Sequence, residues 1–141
     1  MNKVLLILVL SMGMVACSGA KDKSVSGQTK KDVVEVLYFH RAQRCATCIA
    51  IERNAMELVN KTFSESLNSG RLVFRSMDIG KEKALAEKYE VSWSSLVLVD
   101  FDKGGKESSI NLTEFAFKNV RNDPDRFKSV LLEHIAEMLS N

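Results

Sequence analysis

The chain has 141 residues, 45% of them hydrophobic, with a single proline. That is enough for one domain with a real core and too short for two comfortable ones. Lysine and arginine total 20 against 18 acidic residues, a net charge of +2, and so near-neutral a chain gives no reason to expect nucleic acid as a partner.

Residues 1–16 read as an address. Met1-Asn2-Lys3 is a short basic start, Val4 to Leu10 is unbroken apolar sequence, and Ser11 to Ala16 leads into Cys17. This is the three-part form of a secretory signal, too short to span a bilayer as a lasting helix. Met14-Val15-Ala16-Cys17 resembles the lipobox of bacterial lipoproteins, although Met14 stands where leucine is usual. The resemblance implies a cleaved signal over 1–16 and acylation of Cys17. It places the protein, exported and lipid-anchored, on the outer face of a bacterial membrane, periplasmic or at the cell surface. An ordinary cleaved signal or an uncleaved anchor are the alternatives. Loss of Lys3 with the signal leaves 19 basic residues against 18 acidic ones, a net charge of +1.

Ser18 to Asp32 holds one large apolar residue, Val25. Such a stretch has too little to bury, so residues 17–32 are expected to be the lipidated cysteine and a flexible tether with an r.m.s. reach of roughly 20 Å. A single domain follows over residues 33–141.

Val33 to Phe39 is β-branched, aromatic and apolar on both faces, which suits a central strand. From Ala46 to about Asn68 the period turns helical, with Met56, Val59, Phe63 and Leu67 as the expected core stripe. Gly70 supplies a left-handed stop. Arg71 to Ile79 reads as a second strand, and Lys81 to Tyr89 as a short helix packed through Ala84, Leu85 and Tyr89. Leu96 to Phe101 is a third strand. Asp102-Lys103-Gly104-Gly105 then turns the chain into an antiparallel fourth strand over Lys106 to Leu112. Residues 113–122 fit either a helical turn or an irregular insertion. Asp123-Pro124 is a helix start, with Phe127, Leu131, Ile135 and Met138 on one face. The order is strand, helix, strand, helix, strand, strand, helix, with parallel crossovers among the first three strands.

Between the first strand and first helix lies Arg44-Cys45-Ala46-Thr47-Cys48. A cysteine opening a helix meets unpaired N–H groups and the positive end of the helix dipole, which favour a thiolate. Cys48, one turn inward, is placed to attack a mixed disulfide formed at Cys45. Arg44 and Arg41 add positive charge; Arg44 either lowers the Cys45 pKa or is a solvated loop charge. If Cys17 carries lipid, Cys45 and Cys48 are the remaining pair, outside the reducing cytosol. A purely structural bridge closing so short a loop would restrain little of the unfolded chain. A zinc site would need two more ligands, and only His40 and His134 are left, at spacings that match no common zinc motif. Capture of a soft metal or metalloid by the dithiol is a further alternative.

The element order with Cys-x-x-Cys at this junction resembles the minimal thioredoxin fold (βαβαββα), an α/β architecture with a mixed central sheet flanked by helices. The resemblance runs from about Val33 to Ser140. It includes Ala86 to Leu98, which looks like the thioredoxin stretch entering the third strand. It implies a protein thiol–disulfide oxidoreductase with Cys45 and Cys48 as the catalytic pair. Its partners would be protein thiols and disulfides, with a membrane redox partner if it works as a reductase. Arg44, Ala46, Thr47, His40, Trp93, Ser94 and Ser95 would line the site.

Three positions depart from thioredoxin. Ser95 stands at the cis-proline, so a trans Ser94–Ser95 bond is expected, with the Ser95 hydroxyl free to bond the Cys45 sulfur. Tyr38 stands at the buried aspartate, leaving water or another group, with Glu52 and His40 as candidates, to take a proton from Cys48. The dipeptide between the cysteines is Ala-Thr. The Tyr38–Arg41 and Arg44–Cys48 pieces also resemble small bacterial lipoproteins described as ArsF-type nitrophenyl compound nitroreductase subunits. Nitro reduction needs a flavin or comparable carrier, and no stretch resembles a flavin site, so no cofactor is expected. A non-catalytic adaptor, holding a partner protein or soft metal through the dithiol, is the rival function.

Overall fold

The computed structural model describes residues 29–141. The expected signal, Cys17 and most of the expected tether lie outside the described residues. The elements are β1 (Val33–His40), α1 (Ala46–Thr62), α2 (Ser64–Asn68), β2 (Leu72–Asp78), α3 (Lys83–Lys88), β3 (Ser95–Phe101), β4 (Glu107–Asn111), α4 (Thr113–Asn119) and α5 (Pro124–Ser140).

The sheet order is β2-β1-β3-β4. β1 runs parallel to β2 and antiparallel to β3, and β4 returns antiparallel on β3. This is the minimal thioredoxin topology, with one correction to the expected crossovers. Only β1 to β2 is a parallel one, because α3 is too short to carry the chain back along the sheet. Six helical residues span roughly 9 Å, whereas a seven-residue strand is roughly 23 Å long.

Strand alternation sorts the core into two layers. Val34, Val36 and Tyr38 of β1, with Leu96 and Leu98 of β3, pack against α1, α4 and α5. Leu37, Phe39, Val97 and Val99 face the other way, onto Ala86 of α3 and Val91. All seven residues of β3 are buried, as a strand covered on both faces requires.

The predicted stripe of α5 is the observed one: Phe127, Leu131, Ile135 and Met138 are its buried residues, and the Asp123 side chain caps it by accepting from Arg126 N–H. The stripe of α1 is corrected. Cys48, Ile51, Ala55, Leu58 and Val59 are buried, while Met56 is 44% exposed. The expected single helix breaks at Phe63 (φ −118°, ψ 28°), so Phe63 at the break and Leu67 in the reset α2 pack on the core and set no register for α1. In α3 the buried residue is Ala86, and Ala84 is exposed. Residues 113–119 resolve as helix α4, whose Thr113 Oγ1 accepts a buried hydrogen bond from Leu96 N–H at 3.0 Å.

Gly70 takes the left-handed conformation (φ +78°) after α2. Gly105 (φ +85°) does so in the β3–β4 turn, where a Cβ would stand 2.9 Å from Thr29 Cγ2. Residues 29–32 lie against the domain at this end. Asp32 N–H donates to Asp102 O at 3.1 Å, and Lys30 Nζ reaches Glu35 Oε1 at 2.6 Å.

Candidate active site: a cysteine pair at the mouth of α1

β1 delivers the chain to one pole of the sheet, and residues 41–45 turn it into α1. Cys45 is the N-cap of that helix, in extended conformation, and its sulfur accepts from Cys48 N–H at 3.0 Å. One free N–H of the first turn is thereby satisfied, and the dipole's positive end faces the sulfur. The two cysteines are bonded, with their Cα atoms 5.0 Å apart, inside the range a disulfide needs. Their environments differ. Cys45 is exposed, whereas Cys48 is 6% exposed and is the first of the buried residues of α1. An incoming group meets Cys45 first and finds Cys48 beneath it.

Ala46 and Thr47 form the start of the helix between them. Below Cys48 stands Tyr38, fully buried, whose hydroxyl donates to Cys48 O at 2.7 Å. Burial pushes the Tyr38 phenol up, against the opposing pull of Arg44 and Ser94. The departure from aspartate therefore replaces a buried acid with a neutral strut that fixes the backbone of Cys48.

Arg44 turns onto α1. Its guanidinium pairs with Glu52 on α1 and lies 5.8 Å from the centre of the Tyr38 ring, so its charge is shared with a carboxylate beside the cysteines. Glu52 also accepts from the Ser76 hydroxyl of β2. Burial pushes the Glu52 carboxyl up, but Ser76 and Arg44 outweigh it and leave it below the usual carboxylate range. A carboxylate held down in this way is a poor acceptor for a thiol proton, which weighs against Glu52 as the base.

The third strand brings the other predicted residues to the same pole. Ser95 pairs with Phe39 across β1 and β3. All described peptide bonds are trans, including Ser94–Ser95. The Ser95 hydroxyl is corrected: it donates to Trp93 O at 2.9 Å, not to the Cys45 sulfur. Trp93 is 52% exposed and leans on Phe117 of α4, ring centres 5.2 Å apart. His40 ends β1 with Nδ1 bonded to Arg41 O at 3.2 Å and lines an open cleft with Ser76, Asp78 and Lys81. Arg41 is exposed on the loop. Among the described residues no three His, Cys, Asp or Glu side chains group as metal ligands.

Sequence reasoning did not assign Ser76 or Phe117 to this end. Ser76 offers one signal, a hydroxyl at the exposed position of an otherwise half-buried strand. Phe117 has none, because its helix was ambiguous.

Fold and site together define a thioredoxin-fold module with a Cys-x-x-Cys disulfide at the start of its first helix. No family model and no curated protein matches the chain, so the ArsF-type likeness gains no support there. Among solved structures, a thioredoxin from Thermus thermophilus is similar over 75% of this chain and 76% of its own, at 17% identity and TM-score 0.46. A malarial protein is similar over 47% of this chain and 67% of its own, at 27% identity and TM-score 0.36.

Proposed function

We propose that the protein is a membrane-tethered, extracytoplasmic thiol–disulfide oxidoreductase acting through Cys45 and Cys48. The observation that carries the exchange chemistry is the asymmetry of the pair: an exposed sulfur at a helix N-cap bonded to a buried one a turn inward. A structural staple gains nothing from that asymmetry, and sequential attack requires it.

In the reducing direction the Cys45 thiolate attacks one sulfur of a partner disulfide, forming a mixed disulfide and expelling the partner's first thiolate. Cys48, having given its proton to water, then attacks the Cys45 sulfur and expels the second. The partner gains two electrons and two protons as two thiols, and the pair becomes the disulfide. Oxidation of a partner dithiol is the same sequence reversed. A membrane electron donor must re-reduce the pair if it serves as a reductase, since cytosolic thiols do not reach the outer face. Trp93, Ser94, Ser95 and His40 would border the incoming chain at this pole.

The tether and location rest on the sequence pattern at Met14–Cys17, and acylated Cys17 would hold the domain at the membrane. The ArsF-type likeness rests on two short motifs, and thiol exchange is the chemistry adopted.

The test is insulin reduction by a small dithiol. The wild type should accelerate it and Cys45→Ser should not, while Cys48→Ser should accumulate mixed disulfides through Cys45. A protein that exchanges with no dithiol and carries stoichiometric soft metal is the adaptor instead. For the anchor, Cys17→Ser should release the protein from the membrane fraction.

A further inference from the structure

Arg44 and Glu52 are not needed to hold the disulfide, yet both are partly buried beside it, with side chains 28% and 19% exposed. Arg44 is the residue before Cys45, and Glu52 lies one helical turn beyond Cys48, so the cation and the anion that pair here both stand near a cysteine in the chain. The pair is anchored from three elements. Ser76 of β2 donates to Glu52, Tyr38 of β1 stacks under Arg44, and α1 carries Glu52 itself. The remaining ionisable group facing Glu52 is His40 at the end of β1, while Arg75, Asp78 and Lys81 line the cleft beyond it. No part of the exchange sequence uses this carboxylate.

Resting on the oxidoreductase reading, we propose that Glu52 is a positioning residue that sets the redox poise of the Cys45–Cys48 pair by cancelling the charge of Arg44. The physical reason is the thiolate. Reduction creates a negative charge on Cys45, which an uncompensated arginine would stabilise, making the disulfide easier to reduce. With Glu52 bonded to Arg44, that help is withdrawn, and the thiolate is left to the Cys48 N–H and the helix dipole. The carboxylate keeps the pair more reducing than its Arg-Cys-x-x-Cys sequence implies.

The experiment is thiolate titration of Cys45 by absorbance, with equilibration of the disulfide against glutathione, in which two glutathione thiols become one glutathione disulfide as the pair gains two electrons and two protons. Glu52→Gln should lower the Cys45 pKa and shift the equilibrium toward the dithiol by roughly two- to fivefold, the span of a partly exposed charge pair. Arg44→Met should move both quantities the opposite way, and Glu52→Asp should return them toward wild type. Opposite signs are the decisive readout, because a strut that merely holds the loop would give both variants the same direction of change. Shifts of the same sign, or none in Arg44→Met, overturn the proposal. If Glu52→Gln does not fold, Glu52→Ala takes its place as the charge-removing variant, and its sign is compared with that of Arg44→Met. The readout needs no protein substrate, so a failed insulin assay leaves it intact.

Discussion

Two carboxylates, Glu35 on β1 and Glu52 on α1, are each held by a cation from a flanking loop, and they differ in what the carboxylate borders. At the start of β1, Glu35 is 4% exposed and its ion-pair partner is Lys30, at 2.6 Å. That ammonium also lies 5.2 Å from the centre of the Phe101 ring. At the far end, Glu52 is shared between Arg44 and Ser76 beside a sulfur that changes charge. A sealed carboxylate with one strong partner is a matter of stability, since losing the partner leaves an uncompensated buried charge. A carboxylate with several partners next to a titrating group is a matter of potential. The same ion-pair chemistry thus does different work at the two poles.

The largest expected effect separates the poles completely. Cys45→Ser should abolish insulin reduction while leaving the far-ultraviolet spectrum unchanged, and a variant that kept its activity would remove the exchange reading. Next comes Lys30→Met, which strands Glu35. It should cost about 2 kcal/mol of unfolding free energy in denaturant melts without moving the glutathione equilibrium. If that equilibrium moved as well, the poles would not be independent.

A smaller effect lies in the acid limb. The Glu52 carboxyl is depressed below its ordinary 4.5, so its contribution is present above that value and is lost as pH falls through the lower, folded-state pKa. Urea melts of the wild type should weaken in that window, and Glu52→Gln should flatten that part of the slope. Equal slopes in the two proteins would count against the Arg44–Glu52–Ser76 cluster. The smallest effect belongs to Met56→Glu, on the wet side of α1, which should stay within about 0.5 kcal/mol of wild type. By contrast, Leu131→Ala in α5 should cost roughly 2–5 kcal/mol. A large penalty at Met56 would restore the stripe first read from the sequence.

That last pair also marks how far the sequence was legible. α5 is bounded by its own Asp-Pro cap and its stripe is unbroken, so local periodicity alone orients it. α1 begins at a functional motif, with Cys48 turned inward, and it ends in a break at Phe63 that no glycine or proline announces. Its register is set by the sheet beneath, and the stripe drawn through Phe63 and Leu67 belonged to two helices. The site was legible in kind: the two cysteines bond at the mouth of α1, and Ser95 opens the third strand beside Phe39. The orientations of Arg44 and the Ser95 hydroxyl were not, since each chose a partner beyond the reach of any local pattern.

The order of elements, the capped last helix, the hairpin turn and the position of the cysteine pair were determined by the sequence itself, because each depends on residues adjacent in the chain. Which way Arg44 points and what Glu52 balances were decided only by the packing of α1 on β1 and β2. Those outcomes depend on partners up to 24 residues apart along the chain, as Ser76 is from Glu52, and only the folded sheet brings such partners within bonding distance.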